Sequence, residues 1–266
     1  MMSKITGGPT EYFFKQRILN KYDIDYYQCL ETGFVQTEEP YWLDEAYSSA
    51  ITKLDVGLVM RNEGLRNSAS RIITKYFNAD ARFLDYAGGY GLFTRMMRDK
   101  GFDFYHTDRY CENIFAEYFD LENVNAAPDF ELVTAFEIFE HLVNPVQDIE
   151  RILTYSNNLL FTTEIIPQQF KDWWYISPET GQHIAFYTIA SLQYLADKFG
   201  YNFYTDEQST HLFTKTTLKK NPFQEEELPY LIKKIKAKLD RYFRRNNPER
   251  ESLLHHDWDF IKNSIV

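Results

Sequence analysis

The sequence predicts an α/β fold in which a mainly parallel sheet is covered by helices on both faces and ends in an antiparallel C-terminal hairpin. Three observations carry that prediction. The apolar run Phe83-Leu84 ends in Asp85 and enters a glycine-rich turn, Tyr86-Ala87-Gly88-Gly89-Tyr90-Gly91, before a helix start at Leu92. Apolar strands then alternate with amphipathic segments as far as Glu164. Near the end, residues 201–205 and 211–217 read as two strands joined by a polar turn.

In chain order, residues 24–29 and 34–37, separated by Glu31-Thr32-Gly33, read as a hairpin, and residues 41–77 read as helical with breaks near Gly57 and Gly64. The helix after the glycine turn shows Leu92, Phe93, Met96 and Met97 on one face, and Gly101 closes it. The strand at 103–107 ends in Asp108, and a strand at 130–136 runs into Glu137-Ile138-Phe139-Glu140-His141-Leu142. Asn144, with Pro145 next and Gln147 three residues on, is expected to form a capping box. A strand at 158–163 ends in Glu164, and a loop with Trp173, Trp174 and Tyr175 follows. Thr188 is placed as N-cap of a helix with the stripe Ile189, Leu192, Leu195 and Phe199, which Gly200 stops. Residues 225–245 read as a charged helix and the tail as a second, short one.

Composition narrows the classes. A chain of 266 residues with 44% hydrophobic content can build one substantial core with additions. A net charge of −10 disfavours a broad phosphate-binding surface, so nucleic acid is not an expected partner. The locally basic residues 233–245 are diluted by Glu225, Glu226, Glu227 and Asp240. No window approaches the roughly 20 apolar residues of a membrane span, and the N-terminal residues carry no signal-like apolar core, so a cytoplasmic location is expected. Two cysteines, Cys29 and Cys111, are too few for a disulfide framework or a closed thiolate zinc site. The remaining carboxylates and the charged C-terminal segment read as a solvated face, and the expected state is a monomer or homodimer.

The glycine turn is where chemistry is expected. Counted from Gly89 and Gly91, the third glycine of a dinucleotide fingerprint would fall at Thr94, and no lysine follows as a phosphate loop requires. What stands there, Asp85 followed by small residues at Ala87, Gly89 and Gly91, resembles motif I of the class I S-adenosylmethionine-dependent methyltransferases. Ala87 replaces the commonest first glycine. Residues 134–142 resemble the family's post-strand motif with its acid-His-Leu triplet, and residues 181–188 resemble a segment in which a His near a Phe-Tyr pair precedes the penultimate helix. The N-terminal region resembles that of sugar C-methyltransferases, although Thr32 stands where the second cysteine of their Cys-x-x-Cys knuckle would be, so no metal is expected.

The resemblance implies a Rossmann-like, mainly parallel seven-stranded sheet with an antiparallel C-terminal hairpin. It divides the chain into an N-terminal hairpin and helical cap over 1–77, a cofactor-binding catalytic domain over 78–218 and a helical extension over 219–266. It implies S-adenosyl-L-methionine as cofactor, with Asp85, Tyr86, Ala87, Gly88, Gly89, Gly91, Phe136 and Glu137 around it. Asp108, about 20 residues beyond the turn, suits the two ribose hydroxyls. The alternative is that Asp85 and Asp108 simply end their strands. The expected reaction is in-line displacement onto a small-molecule or sugar-like acceptor, with no metal required. His183 and His141, then Glu164, are the candidate bases, and either histidine can instead be an anchor for its loop. A quinone or aromatic O-methyltransferase, a cofactor-binding protein without turnover and, last, a nucleic-acid methyltransferase are the rival readings.

Overall fold

The computed structural model describes residues 1–48, 54–124, 129–224 and 250–264. The N-terminal part opens with β1 (Thr10–Ile18), β2 (Tyr22–Cys29) and β3 (Val35–Thr37), followed by a single-turn α1 (Leu43–Ala46) and the long α2 (Leu58–Tyr76). The alternating part then runs β4 (Arg82–Tyr86), α3 (Leu92–Arg98), β5 (Asp103–Thr107), β6 (Leu132–Ala135), α4 (Pro145–Leu153), β7 (Asn158–Thr162) and β8 (Ala185–Phe186). It finishes with α5 (Ile189–Phe199), β9 (Asn202–Thr205), β10 (Thr210–Thr214) and α6 (Leu254–Ser264).

The larger sheet has the order β5-β4-β6-β7-β10-β9. Its first four strands are parallel, and β10 runs antiparallel to both β7 and β9. Parallel strands of this kind are buried on both faces, which is why β6 reads Leu-Val-Thr-Ala with all four residues buried. On one face Ala69, Ile72 and Ile73 of α2 and Phe93 and Met97 of α3 cover Phe83, Phe104, Leu132, Leu160 and Leu212. On the other, Ile149 and Ile152 of α4 and Leu192 and Leu195 of α5 cover Leu84, Val133, Leu159, Phe161 and Phe213. The result is a three-layer αβα arrangement in which all parallel strands deliver their C-terminal ends to the same edge.

Six strands are found among the described residues where seven were expected. Beyond β5 the sheet continues only as a single parallel bridge between His106 and Asp120. The expected N-terminal hairpin is instead part of a four-stranded sheet, β1-β2-β3-β8. Strand β1 escaped the sequence pattern because it is a largely exposed edge rich in polar side chains, and β8 because it is two residues long. Helix α2 begins after Gly57 but runs through Gly64 unbroken, since an exposed glycine lowers helix stability by about 1 kcal/mol without stopping the helix. Pro145 does open α4, yet the Asn144 side chain makes no cap; the Asp148 carboxylate reaches back and accepts from the Asn144 N–H at 3.3 Å. Thr188 caps α5 as expected, accepting from the Ser191 N–H at 3.0 Å, and Gly200 stops it with φ of 69°. The charged segment 225–245 lies outside the described residues.

The tail helix α6 is tied to the sheet edge by a buried ion pair. Arg98 Nε and Nη2 each donate to the Asp257 carboxylate at 2.7 Å, Nη1 donates to Asp103 and to the Phe104 carbonyl, and the guanidinium lies 3.6 Å from the Phe119 ring centroid. A cleft lined by Arg82, Tyr105, Arg250 and Phe260 beside this pair lies at the opposite end of β4 and β5 from the glycine turn.

Candidate active site

Asp85 is the last buried residue of β4 and is only 2% exposed. Thr134 Oγ1 donates to its Oδ1 at 2.9 Å and Thr94 Oγ1 to its Oδ2 at 3.2 Å, so the carboxylate pins β6 and α3 beneath the turn. Burial pushes its pKa up to about 6, against the hydroxyls and His106, which pull it down. The turn itself leaves no room for side chains at two positions. A Cβ on Gly88 would run into the Asp85 carboxylate and the His106 ring, and one on Gly91, whose φ is 82°, would run into Asn113 Oδ1. Ala87 also sits in the left-handed region, with φ of 54°.

Asp108 stands just past the end of β5 and closes over this turn. Its Oδ2 accepts from the Gly89 N–H at 2.9 Å, and its Oδ1 from the N–H groups of Tyr110 and Cys111 at 2.7 and 2.8 Å. The second-strand carboxylate, expected to face ribose hydroxyls, is thus in direct contact with the turn itself. His106 props the turn from below, with Nε2 2.9 Å from the Gly89 carbonyl and Nδ1 3.1 Å from Asp120. The aromatic neighbours turn outward: Tyr86 packs on Tyr155 at 6.1 Å and Phe136 on Phe93 at 5.0 Å, each within a helical layer.

After β6, Glu137 takes a left-handed backbone with φ of 56°, a conformation that costs a non-glycine residue of order 1–3 kcal/mol. It is held reciprocally by Thr162, which accepts from the Glu137 N–H and donates to Oε1, both at 2.8 Å. Its other oxygen lies 3.6 Å from Arg61 of α2, whose guanidinium is bidentate on Asp55. Glu164, beyond β7, is half-buried; burial and the charges of Glu137 and Asp206 raise its pKa above the ordinary carboxylate value.

The next turn brings Glu140, His141 and His183 together, with one ligand atom from each lying within 4.8 Å of the others. The Ile184 N–H donates to the Glu140 carbonyl at 2.8 Å and so draws the 177–184 loop onto this turn. His141 and His183 meet edge to face at 4.8 Å. Their Nδ1 atoms lie 3.1 Å from the Gln182 carbonyl and 2.5 Å from the Tyr175 carbonyl. Burial lowers both imidazoles, His141 to about 3 and His183 to about 4. Glu140 is fully buried, and burial together with the Glu137 charge pushes it up to about 8. The hydroxyls of Tyr175 and Thr163 stand beside it without closing a hydrogen bond.

The structure therefore gathers Asp85, Ala87, Gly88, Gly89, Gly91 and Asp108 at one place on the sheet edge. Glu140, His141 and His183 form a second group, and the charge of Glu137 links it to Glu164 beyond β7. Sequence reasoning missed Tyr47, whose hydroxyl lies 3.0 Å from His141 Nδ1 and whose ring stacks on Tyr110 at 5.9 Å, and it missed Arg61, Asn113 and Thr134. No local pattern marks these residues, because each acts across a long sequence separation.

A strand-to-helix glycine turn with a carboxylate clasped over it, at the C-terminal edge of a sheet that ends in an antiparallel hairpin, defines a nucleoside-binding α/β enzyme. Residues 61–205, over half of the chain, match the family model described as a methyltransferase domain. The chain belongs to this family of S-adenosylmethionine-dependent methyltransferases. Among solved structures it is similar to CalO1, a methyltransferase in calicheamicin biosynthesis in its S-adenosylhomocysteine-bound form, at 15% identity, with 66% of this chain and 60% of that chain covered and a TM-score of 0.39. It is also similar to the plantazolicin methyltransferase BpumL in complex with a monoazolic desmethylPZN analog and S-adenosylhomocysteine, at 13% identity, 68% and 81% coverage and a TM-score of 0.42. A third is the O-methyltransferase family 2 protein from Planctomyces limnophilus in complex with apigenin, at 12% identity, 65% coverage of each chain and a TM-score of 0.41. The match thus spans under two thirds of the CalO1 chain and of the Planctomyces chain. No curated protein sequence matches the chain.

Proposed function

We propose that the protein transfers the methyl group of S-adenosylmethionine to a small-molecule or sugar-like acceptor. The observation that carries this reading is the contact between Asp108 and the Gly89 N–H, one strand away from the Glu140, His141 and His183 group. When bound, the cofactor supplies an electrophilic methyl on a sulfonium, and the protein's task is to align acceptor, carbon and leaving sulfur.

In this reading Gly88, Gly89 and Gly91 let the backbone lie against the cofactor, and Asp108 offers its one remaining lone pair, on Oδ2, to a ribose hydroxyl. Asp85 sets a negative charge beneath the amino-acid end, with Ala87 and Glu137 shaping the wall and Tyr86 and Phe136 backing it from the helical layers. On the acceptor side, imidazoles held at about 3 and 4 are weak bases at neutral pH. Glu164, with its raised carboxyl, is better matched to taking a proton from an acceptor hydroxyl or acidic carbon. Among the described residues no helix is long and apolar enough to cross a membrane.

Calorimetry with S-adenosylmethionine and S-adenosylhomocysteine tests the cofactor half, and Asp108→Ala should weaken both. Transfer of labelled methyl to a panel of glycosides, sugar nucleotides and phenols, with product analysis, tests the acceptor half. Tight cofactor binding with no labelled product across the panel would favour a binding protein without turnover.

A further inference from the structure

We propose that Glu140, His141 and His183 form a binding site for a first-row divalent cation, zinc or manganese in kind, on the acceptor side of the sheet. The argument rests on what these three groups lack. Glu140 is 0% exposed, and neither carboxylate oxygen closes a hydrogen bond among the described residues, although the Tyr175 and Thr163 hydroxyls stand beside it. His183 Nδ1 faces the Tyr175 carbonyl and His141 Nδ1 faces the Gln182 carbonyl. A carbonyl only accepts, so each Nδ1 carries the proton, with the Tyr47 hydroxyl as a second acceptor at His141, and each Nε2 presents its lone pair.

The His141 Nε2 lies 3.9 Å from Glu140 Oε1, too far for a hydrogen bond and close enough for both to meet one ion. A carboxyl and two imidazole nitrogens that close no hydrogen bond with one another, in a place where burial makes unsatisfied polar groups costly, are what a cation completes. Imidazoles oriented by an Nδ1–H bond to a backbone carbonyl are the usual outer support of a metal site, and here both have it.

The donor set selects the ion. Two imidazole nitrogens and one carboxylate suit zinc, manganese or iron(II), whereas magnesium and calcium prefer all-oxygen surroundings. Ligand distances of about 2.0–2.2 Å require the three atoms, now within 4.8 Å of one another, to close by roughly an ångström. Three protein ligands leave coordination positions open, and the His141 side chain is 22% exposed, so the ion would face the cleft. Arg61, whose charge reaches Glu140 and His183, is taken up by Asp55 and Glu137. The open positions suit an oxygen of the acceptor, a step that rests on the methyl-transfer reading; the ion site itself does not.

The experiment uses the full chain stripped with chelator and dialysed. Zinc uptake by mass spectrometry should reach one equivalent per chain. X-ray absorption at the zinc edge should show two imidazoles and an oxygen ligand on the wild type. Glu140→Gln and His183→Ala, checked for folding by circular dichroism, should bind zinc at least about 10–100-fold more weakly, the loss seen even for outer partners. Stripped protein that takes up no stoichiometric zinc, manganese or cobalt overturns the proposal, as does an absorption spectrum without imidazole or a pair of folded variants that bind like wild type. Calorimetry with S-adenosylhomocysteine on the stripped protein keeps the two readings apart. Zinc uptake without that binding would sink the methyltransferase reading alone, and the reverse would sink the ion site alone.

Discussion

The hydroxyl of Tyr47 lies 3.0 Å from His141 Nδ1, joining the residue that ends α1 to the turn after β6. Its ring also stacks on Tyr110, whose N–H donates to Asp108. One side chain thus touches the supports of both halves of the cleft. Tyr47→Phe keeps the stack and removes the hydroxyl. A neutral hydrogen bond is worth about 0.5–1.5 kcal/mol, so kcat/KM should fall up to about tenfold while the S-adenosylhomocysteine affinity stays within about twofold. Equal loss of cofactor affinity and turnover would place Tyr47 in the cofactor pocket instead.

Asp85 gives a pH signature. Its carboxyl is raised by burial from 3.8 to about 6, with Asp108 adding to the rise and His106, Thr134 and Thr94 opposing it. Because the folded value exceeds the unfolded one, the protonated acid favours folding. That contribution is whole below pH 3.8 and is lost as pH rises through 6. Thermal melts from pH 3.5 to 7 should therefore show a wild-type stability decline relative to Asp85→Asn. Binding of S-adenosylhomocysteine should tighten through about pH 6 in the wild type and lose that slope in the variant. Parallel melting curves for the two proteins would contradict this account.

Gly88→Ala should be more harmful than its size suggests. The added methyl meets the Asp85 carboxylate and the His106 ring, both buried and both already bonded, so neither can yield cheaply. Overpacking of this kind costs about 1–3 kcal/mol, readable as a lowered urea midpoint. Cofactor binding should be lost along with it. An unchanged midpoint would mean the turn is looser than its contacts imply.

Asp257→Ala leaves Arg98 buried without its main counter-charge, and breaking such a pair costs about 3–5 kcal/mol. Burial alone would raise Asp257, but the Arg98 guanidinium outweighs it and holds the carboxyl below its usual 3.8. The pair's contribution is thus complete above pH 3.8 and disappears as pH falls through the depressed value. Chemical denaturation at pH 7 and at pH 3 should show the wild-type and variant curves converging at the lower pH. Equal separation at both would remove Asp257 as the titrating partner.

What was legible in the sequence was local. The limits of β5, the Gly91 entry to α3, the Thr188 cap and the Gly200 stop depend on neighbours within a few residues, where side-chain type dictates backbone conformation. Asp108 was legible as the carboxylate just past β5, but its bond to the Gly89 N–H was not, because it joins the ends of two neighbouring strands. The burial of Glu140 was not. An acid followed by His reads as an exposed helical turn until Ile184 and the fourth strand of the smaller sheet cover it. The same holds for Thr134, an ordinary strand residue whose hydroxyl answers Asp85.

The pairing of Val35 with Phe186 has a consequence for how the molecule is made. The first three strands leave the ribosome long before the two residues that complete their sheet, so the lobe that is synthesised first must be finished late. Its closure then coincides with delivery of the segment bearing His183. Assembly of the acceptor side is thereby coupled to the final stages of synthesis, a non-local dependence that slows folding and defers competence until most of the chain is present.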